Sequence, residues 1–368
     1  MYSILLRTKL HRPASPSTAI ARPACLQRLQ DGLTGKVTLV SAPAGFGKIT
    51  VVSLWFEAVE AQAAAALRIS WLALEEADNH LLRFVHYLVA AIEDKYPQSC
   101  AAVTALLHPD EQATTEILAD VLADALTQLP GRLILALDDL HLVEDAAIYA
   151  FLTRLIQHMA NQLHLVLITR VDPPLPLNRW RAQGHLNELR LHDLCFNLAE
   201  TTTFLHANLD QRPTDAMVAT LYERTEGWVV GLRLVVLALR GQTEYAEFAA
   251  NIASASSRYI LDYLVDDVLD QQTPSVQKFL ICTAILTRFS AGLCAAVAEM
   301  DDASAQRHIN DVARANLFLI ELTSPDHWYR YHHQFQDMLL SRLHERYSSQ
   351  AIATLHRQAA TWLAAGEK

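Results

Sequence analysis

The sequence lacks the long apolar runs that mark membrane-spanning and secreted proteins. No stretch reaches the roughly 18 unbroken apolar residues that a membrane helix needs, and the most apolar candidate, residues 228–239, is interrupted by Arg233. Residues 1–13 mix basic side chains with short apolar pairs and contain no hydrophobic region of a signal peptide. We therefore expect no membrane partner, and the cytoplasm is the default location.

Cysteine is scarce and is not arranged for a metal or disulfide framework. The five cysteines have no C-x-x-C spacing and no histidine at ligand distance in the sequence. Disulfides or a zinc site stay open, but this spacing favours isolated buried thiols of a cytosolic protein. The residues concerned are Cys25, Cys100, Cys195, Cys282 and Cys294.

Positive charge is also in deficit. The chain has 30 Lys and Arg against 40 Asp and Glu, which gives a formal net charge of -10. Because affinity for DNA rests largely on the neutralisation of phosphates, this balance argues against direct nucleic-acid binding by these residues. The sequence contains no internal repeat, and its one low-complexity run is the short alanine tract at 63–66.

What the first half does contain is an alternation of strand and helix patterns. Short apolar runs separated by amphipathic helices, such as the one at 146–159, predict a parallel sheet covered on both faces. The predicted strands are 36–41, 67–74, 133–137 and 163–168, with 186–191 as a candidate fifth.

The second half begins with helices and ends with a hairpin pattern. Segments 201–205, 215–223 and 228–239 are typical of helices, and Thr273 followed by Pro274 is a helix start signal. Two strand-like runs, 317–322 and 328–331, flank the turn-forming residues 323–327, which makes a winged helix plausible. The helix predicted at 349–365 has no stop signal, so we expect a longer natural protein.

The predicted fold class is α/β, with a P-loop parallel-sheet domain followed by a helical domain and a winged-helix domain. The expected boundaries are 1–195 for the P-loop domain, 196–256 for the helical domain, 257–345 for the winged helix and 346–368 for the start of a helical arm.

The strongest chemical signal is the segment APAGFGKIT at 42–50. A phosphate-binding loop needs glycines that let backbone amides face the phosphates, a lysine that neutralises charge, a preceding strand and a following helix. All of these are present, so a chance glycine-rich turn is the weaker explanation. The predicted nucleotide-binding residues of this segment are Pro43, Ala44, Gly45, Phe46, Gly47, Lys48, Ile49 and Thr50.

Two positions depart from the usual pattern of this loop. Ala42 replaces the first glycine, which is tolerable, and Ile49 replaces the hydroxyl residue that holds Mg²⁺. Thr50 lies one position too far along the helix to substitute simply, and we expect it to contact the α-phosphate. The sequence thus predicts that ADP or ATP binds, that Mg²⁺ is doubtful, and that hydrolysis is slow or impaired.

Acidic and basic residues follow two later strands. Asp138 and Asp139 end the apolar run 133–137, which is the Walker B arrangement: the first carboxylate reaches the metal shell and the second polarises water. Arg170 follows the strand at 163–168 and is placed to approach a γ-phosphate. The alternative for Asp138 and Asp139 is a pair of solvated acids at a strand end. The alternative for Arg170 is a surface ion pair.

Taken in order, the segments resemble the MalT-like regulators, which belong to the STAND class of P-loop ATPases. The resemblance covers essentially the whole chain. It rests on LRTKLHRP, PAGFGK, WLALEEADN, LDDLHL, ITRVDPPLPL, EGW and YHHQF, which begin at residues 6, 43, 71, 137, 168, 226 and 331.

The resemblance implies roles for residues outside the loop. His332 occupies the place of a histidine that touches the β-phosphate of ADP in related switches, although a structural histidine at a helix start is the alternative. Val229 replaces a proline that packs near the adenine, and Arg22 lies where an N-terminal segment covers the base. Arg179 and Arg181 fit solvated surface charge at least as well as a nucleotide role.

The function that the resemblance implies is a molecular switch, closed with ADP and opened by ATP and an inducer, within a signal-responsive transcriptional activator. The implied partners are the nucleotide, a C-terminal sensor, a LuxR-type DNA-binding domain, and other copies of the protein on activation. Two alternatives are a slow but active Mg²⁺-dependent ATPase and a nucleotide-free scaffold for protein interaction.

Overall fold

The computed structural model describes residues 5–16, 18–62, 67–108, 113–209, 211–239, 269–270, 272–314, 317–322 and 328–366. The chain divides into two compact units, and the division falls between Leu194 and Cys195. Each unit has its own buried core and is considered by itself.

The N-terminal unit is built on a five-stranded sheet in which all paired strands are parallel, in the order β2-β3-β4-β1-β5. The predicted parallel sheet is confirmed, and the candidate fifth strand is real although it ends at Leu189. The strands are β1 (Val37–Ser41), β2 (Leu67–Ala73), β3 (Arg132–Asp138), β4 (Leu163–Thr169) and β5 (Leu186–Leu189).

The central strands are apolar because both of their faces are covered. Every residue of β1 and of β4 is buried, as expected for parallel strands with helices on each side. In register, Ser41 at the end of β1 lies beside Thr169 at the end of β4. The carboxyl ends of these strands therefore share one edge of the sheet.

Eight helices of the described part surround this sheet. Several begin with the caps that their sequences provide: the side chain of Thr114 accepts from the amide of Ile117, and that of Asp145 from the amide of Ala147. The helices are α1 (Pro23–Asp31), α2 (Lys48–Gln62), α3 (Leu81–Glu93), α4 (Ala101–Leu106), α5 (Thr115–Thr127), α6 (Ala146–His158), α7 (Leu177–Ala182) and α8 (Leu191–Leu194).

The C-terminal unit begins with helices, as predicted. Asn197 and Glu200 form a capping box at the start of the first of them, and Thr214 caps the second. Gly227, with φ of 73°, precedes the third helix, and a Cβ there would lie 2.0 Å from the carbonyl oxygen of Phe196. These helices are α9 (Leu198–Asn208), α10 (Asp215–Thr225) and α11 (Val229–Leu239).

The rest of the unit has the order of a winged helix. Among the residues described from 272 onward, three helices precede a two-stranded antiparallel sheet, and two more follow it. The predicted turn at 323–327 and the predicted boundary at 256/257 lie outside the described residues. The elements are α12 (Pro274–Thr283), α13 (Ala291–Ala298), α14 (Asp302–Arg314), β6 (Leu319–Glu321), β7 (Tyr329–Tyr331), α15 (His333–Arg346) and α16 (Ser349–Gly366).

All five cysteines lie among the described residues. None of them is bonded in a disulfide, and four are buried, but Cys195 is half-buried, so the prediction of buried thiols is wrong there. The described residues include no helix with the length and apolar character of a membrane span.

Candidate nucleotide-binding site

The loop that joins β1 to α2 has the backbone of a phosphate cradle. Gly45 and Gly47 have φ of 82° and 73°, in the left-handed region that side chains other than glycine seldom adopt. Helix α2 begins at Lys48, immediately after the loop, and the first amides of a helix have no acceptor within it. The loop and the helix start therefore present backbone donors and a positive dipole end to an anion.

Lys48 is buried against this loop. Its Nζ donates to the carbonyl oxygens of Ala42 and Pro43, each at 2.8 Å. Burial, followed by the charge of Arg170, lowers the pKa of the amine to about 8. The carboxylates at the end of β3 oppose that shift. An anionic phosphate would reduce the free-energy cost of burying the charged amine, because it offers the ammonium group a full counter-charge.

Asp138 and Asp139 lie at the carboxyl end of β3. Asp138 is buried, and burial followed by the charge of Asp139 raises the pKa of its carboxyl to about 7. The amide of Asp139 donates to Asp138 Oδ1 at 3.0 Å. Asp139 itself has φ of 54° and a partly exposed side chain. A left-handed aspartate is a strained conformation of the kind found at functional sites.

The strand order brings the three charged segments to one edge. Because β4 separates β1 from β3, Arg170, which follows β4, lies between the phosphate loop and the two acids. Its charge and those of both acids act on Lys48. The structure therefore brings together the predicted lysine, the acid pair and the arginine in one electrostatic site.

His141 also lies in this site, and the sequence alone does not predict its role there. Its Nδ1 lies 3.8 Å from Oδ1 of Asp139. Burial lowers the pKa of its imidazole to about 4, so the ring is neutral near pH 7, and Arg170 and Lys48 act in the same direction. The signal was the segment LDDLHL, in which the histidine follows the acid pair by two residues.

The donor set fits a nucleoside phosphate better than it fits a complete Mg²⁺ shell. Backbone amides and Lys48 suit the phosphates, and two carboxylates suit a metal ion. Ile49 and Thr50 are half-buried at the start of α2, and the isoleucine side chain has no ligand atom. Among the described residues, no group of three or more His, Cys, Asp or Glu side chains is arranged to hold a metal ion.

Arg22 is buried, and its guanidinium group donates to the carbonyl oxygens of Leu194 at 2.8 Å and Asp193 at 3.0 Å. It thus fixes the end of α8, and its contact with a base stays a prediction. Arg181 forms an ion pair with Glu188 at 2.7 Å. This contact fits the interpretation of Arg181 as a surface charge.

In the C-terminal unit, His332 is buried and its Nε2 lies 2.9 Å from the carbonyl oxygen of Thr225. Arg330 forms two hydrogen bonds with Glu226, at 2.8 and 2.7 Å. These contacts attach β7 to the end of α10, beside half-buried Val229. Roles for His332 and Val229 toward a nucleotide stay predictions.

Comparison with known proteins supports the resemblance. Residues 265–351 match the model of the MalT winged helix domain. The chain is 28% identical over 364 residues to the HTH-type transcriptional regulator MalT of Yersinia pestis (strain Pestoides F), covering 99% of this chain and 39% of the relative. MalT of Yersinia enterocolitica (serotype O:8, biotype 1B) matches with the same identity and coverage. The predicted resemblance to MalT-like regulators is confirmed, and the chain spans about two fifths of the length of these relatives.

Among solved structures, the chain is similar to the Walker-type ATPase PABY2304 of Pyrococcus abyssi. The TM-score is 0.58 at 11% sequence identity, covering 89% of this chain and 98% of the other. At this identity the likeness concerns the fold alone. The chain has a P-loop ATPase fold.

Proposed function

We propose that this chain is the nucleotide-binding switch module of a MalT-like transcriptional activator, holding ADP in its resting state and ATP in its active state. The observation that carries the proposal is the shared site of Lys48, Asp138, Asp139 and Arg170 beside a loop with two left-handed glycines. The similarity to transcriptional regulators named MalT supports the biological setting.

In this proposal each residue has a task that its position supports. The loop amides and Lys48 bind the β-phosphate, and Arg170 detects whether a γ-phosphate is present. Asp138 would hold Mg²⁺, and Asp139, partly exposed and adjacent, would orient water. Bound Mg²⁺ would neutralise phosphate charge. Because Ile49 offers it no oxygen, binding dominates over turnover, which suits a switch better than a metabolic enzyme.

The wider setting is part of the proposal. We place the protein in the cytoplasm, with a sensor and a LuxR-type DNA-binding domain acting on this module and self-association following ATP binding. Helix α14 precedes the wing, and its exposed charges are two acids and two arginines, so it presents no net positive surface to DNA. DNA binding is therefore assigned to another part of such a protein.

The proposal is tested by identifying what the purified protein carries. After denaturation, chromatography of the supernatant is expected to show about one ADP per chain, with much less than one Mg²⁺ by metal analysis. ADP and ATP added to the emptied protein are expected to rebind in calorimetry. A protein that carries no nucleotide and binds neither one on addition would be a scaffold, and the switch proposal would be wrong.

Affinity for ADP without metal is expected to fall as the pH rises from about 7 to 9. Lys48, with a pKa of about 8, loses its positive charge in this range. Asp138, with a pKa of about 7, has gained its negative charge by then. Both changes weaken anion binding, and the terminal phosphate, with a pKa of about 6, stays charged throughout. At pH 9 about one tenth of the lysine stays protonated, so the lysine alone is expected to cause roughly a tenfold loss.

Calorimetry in a chelating buffer measures this dependence. Lys48→Arg keeps its charge and is expected to show a much smaller fall. Asp138→Asn is expected to remove the part of the fall that begins near pH 7. An affinity that is constant or rises over the range would contradict the assignment of Lys48 to the phosphate.

A further inference from the structure

The structure joins two of the segments that carry the family resemblance, LRTKLHRP and WLALEEADN, which begin at residues 6 and 71. We call residues 5–13 the N-terminal strap. The Nζ of Lys9 in the strap forms an ion pair with Asp78 and lies 3.3 Å from Oε1 of Glu75. The same amine lies 4.2 Å from the centre of the Tyr87 ring. The strap is therefore held at a buried charged contact.

Asp78 organises the turn that follows β2. Its carboxylate is fully buried and also accepts from Nε of Arg83 and from the amide of Glu75, both at 3.0 Å. Two cations and two carboxylates thus balance around the turn. Because a buried carboxylate that loses a partner is left uncompensated, the shape of this turn depends on Lys9.

The next residue connects the turn to the acid pair. Oδ1 of Asn79 accepts from the amides of Glu144 at 3.0 Å and Asp145 at 2.7 Å. We call residues 139–145 the Walker B loop, since they run from the second acid to the start of α6. The hydroxyl of Tyr149 donates to the carbonyl oxygen of Val143 in the same loop at 2.7 Å. Side chains from outside the loop therefore fix its far end.

The other end of the strap contacts the helix that begins at Lys48. The hydroxyl of Ser53 donates to the carbonyl oxygen of Pro13 at 3.1 Å, and Arg12 pairs with Glu60 at 3.0 Å. The strap thus touches both the phosphate-loop helix and the turn that holds the Walker B loop.

We infer that Lys9 and Asn79 are positioning residues for the acids Asp138 and Asp139, acting through Asp78 and the Walker B loop. Asp139 has φ of 54°, and a strained residue keeps such a conformation when its surroundings hold it. Asn79 holds the chain five and six residues beyond it, and Lys9 holds Asn79 through the turn. The functional meaning rests on the proposed nucleotide site, but the coupling itself is a property of the ligand-free chain.

Hydrogen–deuterium exchange of the ligand-free protein tests this coupling without any nucleotide. Lys9→Met is expected to raise the exchange rate of the peptide covering 139–146 about fivefold, the factor for one lost hydrogen bond. Asn79→Ala removes the acceptor of two amides and is expected to raise it about 5- to 25-fold. Lys9→Arg and Asn79→Asp keep the charge and the acceptor oxygen, respectively, and are expected to exchange within about twofold of the original protein.

Lys36→Met is the matched control. Nζ of Lys36 donates to the carbonyl oxygens of Ile156 and Gln157, at the opposite end of α6, so this variant is expected to leave the Walker B loop unchanged. The inference is overturned if Lys9→Met loosens only the strap, if Asn79→Asp exchanges as fast as Asn79→Ala, or if Lys36→Met has the same effect. Should Lys9→Met fail to fold, Lys9→Arg and the two Asn79 variants decide the result. An absence of nucleotide binding would refute the proposed function without altering these exchange rates.

Discussion

Replacing Lys48 with methionine is expected to lower the affinity for ADP and ATP by about 100-fold or more, equivalent to roughly 2.7 kcal/mol. The substitution keeps most of the apolar stem and removes the charge that lies against the phosphate loop. Charge-assisted contacts to phosphate are among the stronger hydrogen bonds. Calorimetry with ADP in a chelating buffer measures the loss directly.

The fold is expected to survive this change. Burial lowers the pKa of Lys48, which means that the ammonium group is costly in the ligand-free protein, so the variant should melt no lower than the original chain without nucleotide. A saturating ligand at 100 times its Kd stabilises a protein by about 2.7 kcal/mol. We therefore expect ADP to raise the melting temperature of the original protein but not that of the variant.

Lys36→Met is a close control for this experiment also, because Lys36 and Lys48 each donate to two consecutive backbone carbonyl oxygens. Only Lys48 lies beside the loop glycines. If both variants lost affinity equally, the effect would reflect general loosening of the unit. If neither did, the nucleotide would bind elsewhere and the proposed site would be wrong.

The sequence predicted the sheet and the charged edge because both depend on local order along the chain. The apolar runs before Lys48 and Asp138 are strands since their neighbours cover both faces. Ligands of such sheets lie at the carboxyl ends of the strands. The position of Arg170 follows from the same rule once the strand is recognised.

Other features could not be predicted because they depend on contacts between distant segments. Buried Asp78 pairs with Lys9, 69 positions earlier in the chain. The neutral state of His141 arises from burial beside Arg170 and Lys48. The contact of His332 with Thr225 joins segments separated by 107 positions. In each case the residue itself is evident in the sequence, but the distant residue that it contacts cannot be identified from the sequence.

Ile49→Thr is expected to raise Mg²⁺-dependent ATP hydrolysis about 10- to 100-fold, or roughly 1.4–2.8 kcal/mol in the barrier. The new hydroxyl would lie at the position where P-loop proteins place a metal ligand. Mg²⁺ held near Asp138 would position the γ-phosphate. The water that Asp139 orients would then be placed to attack it. Phosphate release under single-turnover conditions, with and without Mg²⁺, measures the change.

Valine is the matched control at this position, since it has the shape of threonine without the oxygen. Ile49→Val should leave hydrolysis at its original rate, and so a gain seen with threonine alone would belong to the hydroxyl. Thr50→Val tests the remaining explanation, which is that Thr50 already binds the metal ion. In that case the loss of Thr50 should reduce hydrolysis, and Ile49→Thr should add little. That result would favour the slow, active ATPase over a switch whose metal site is incomplete.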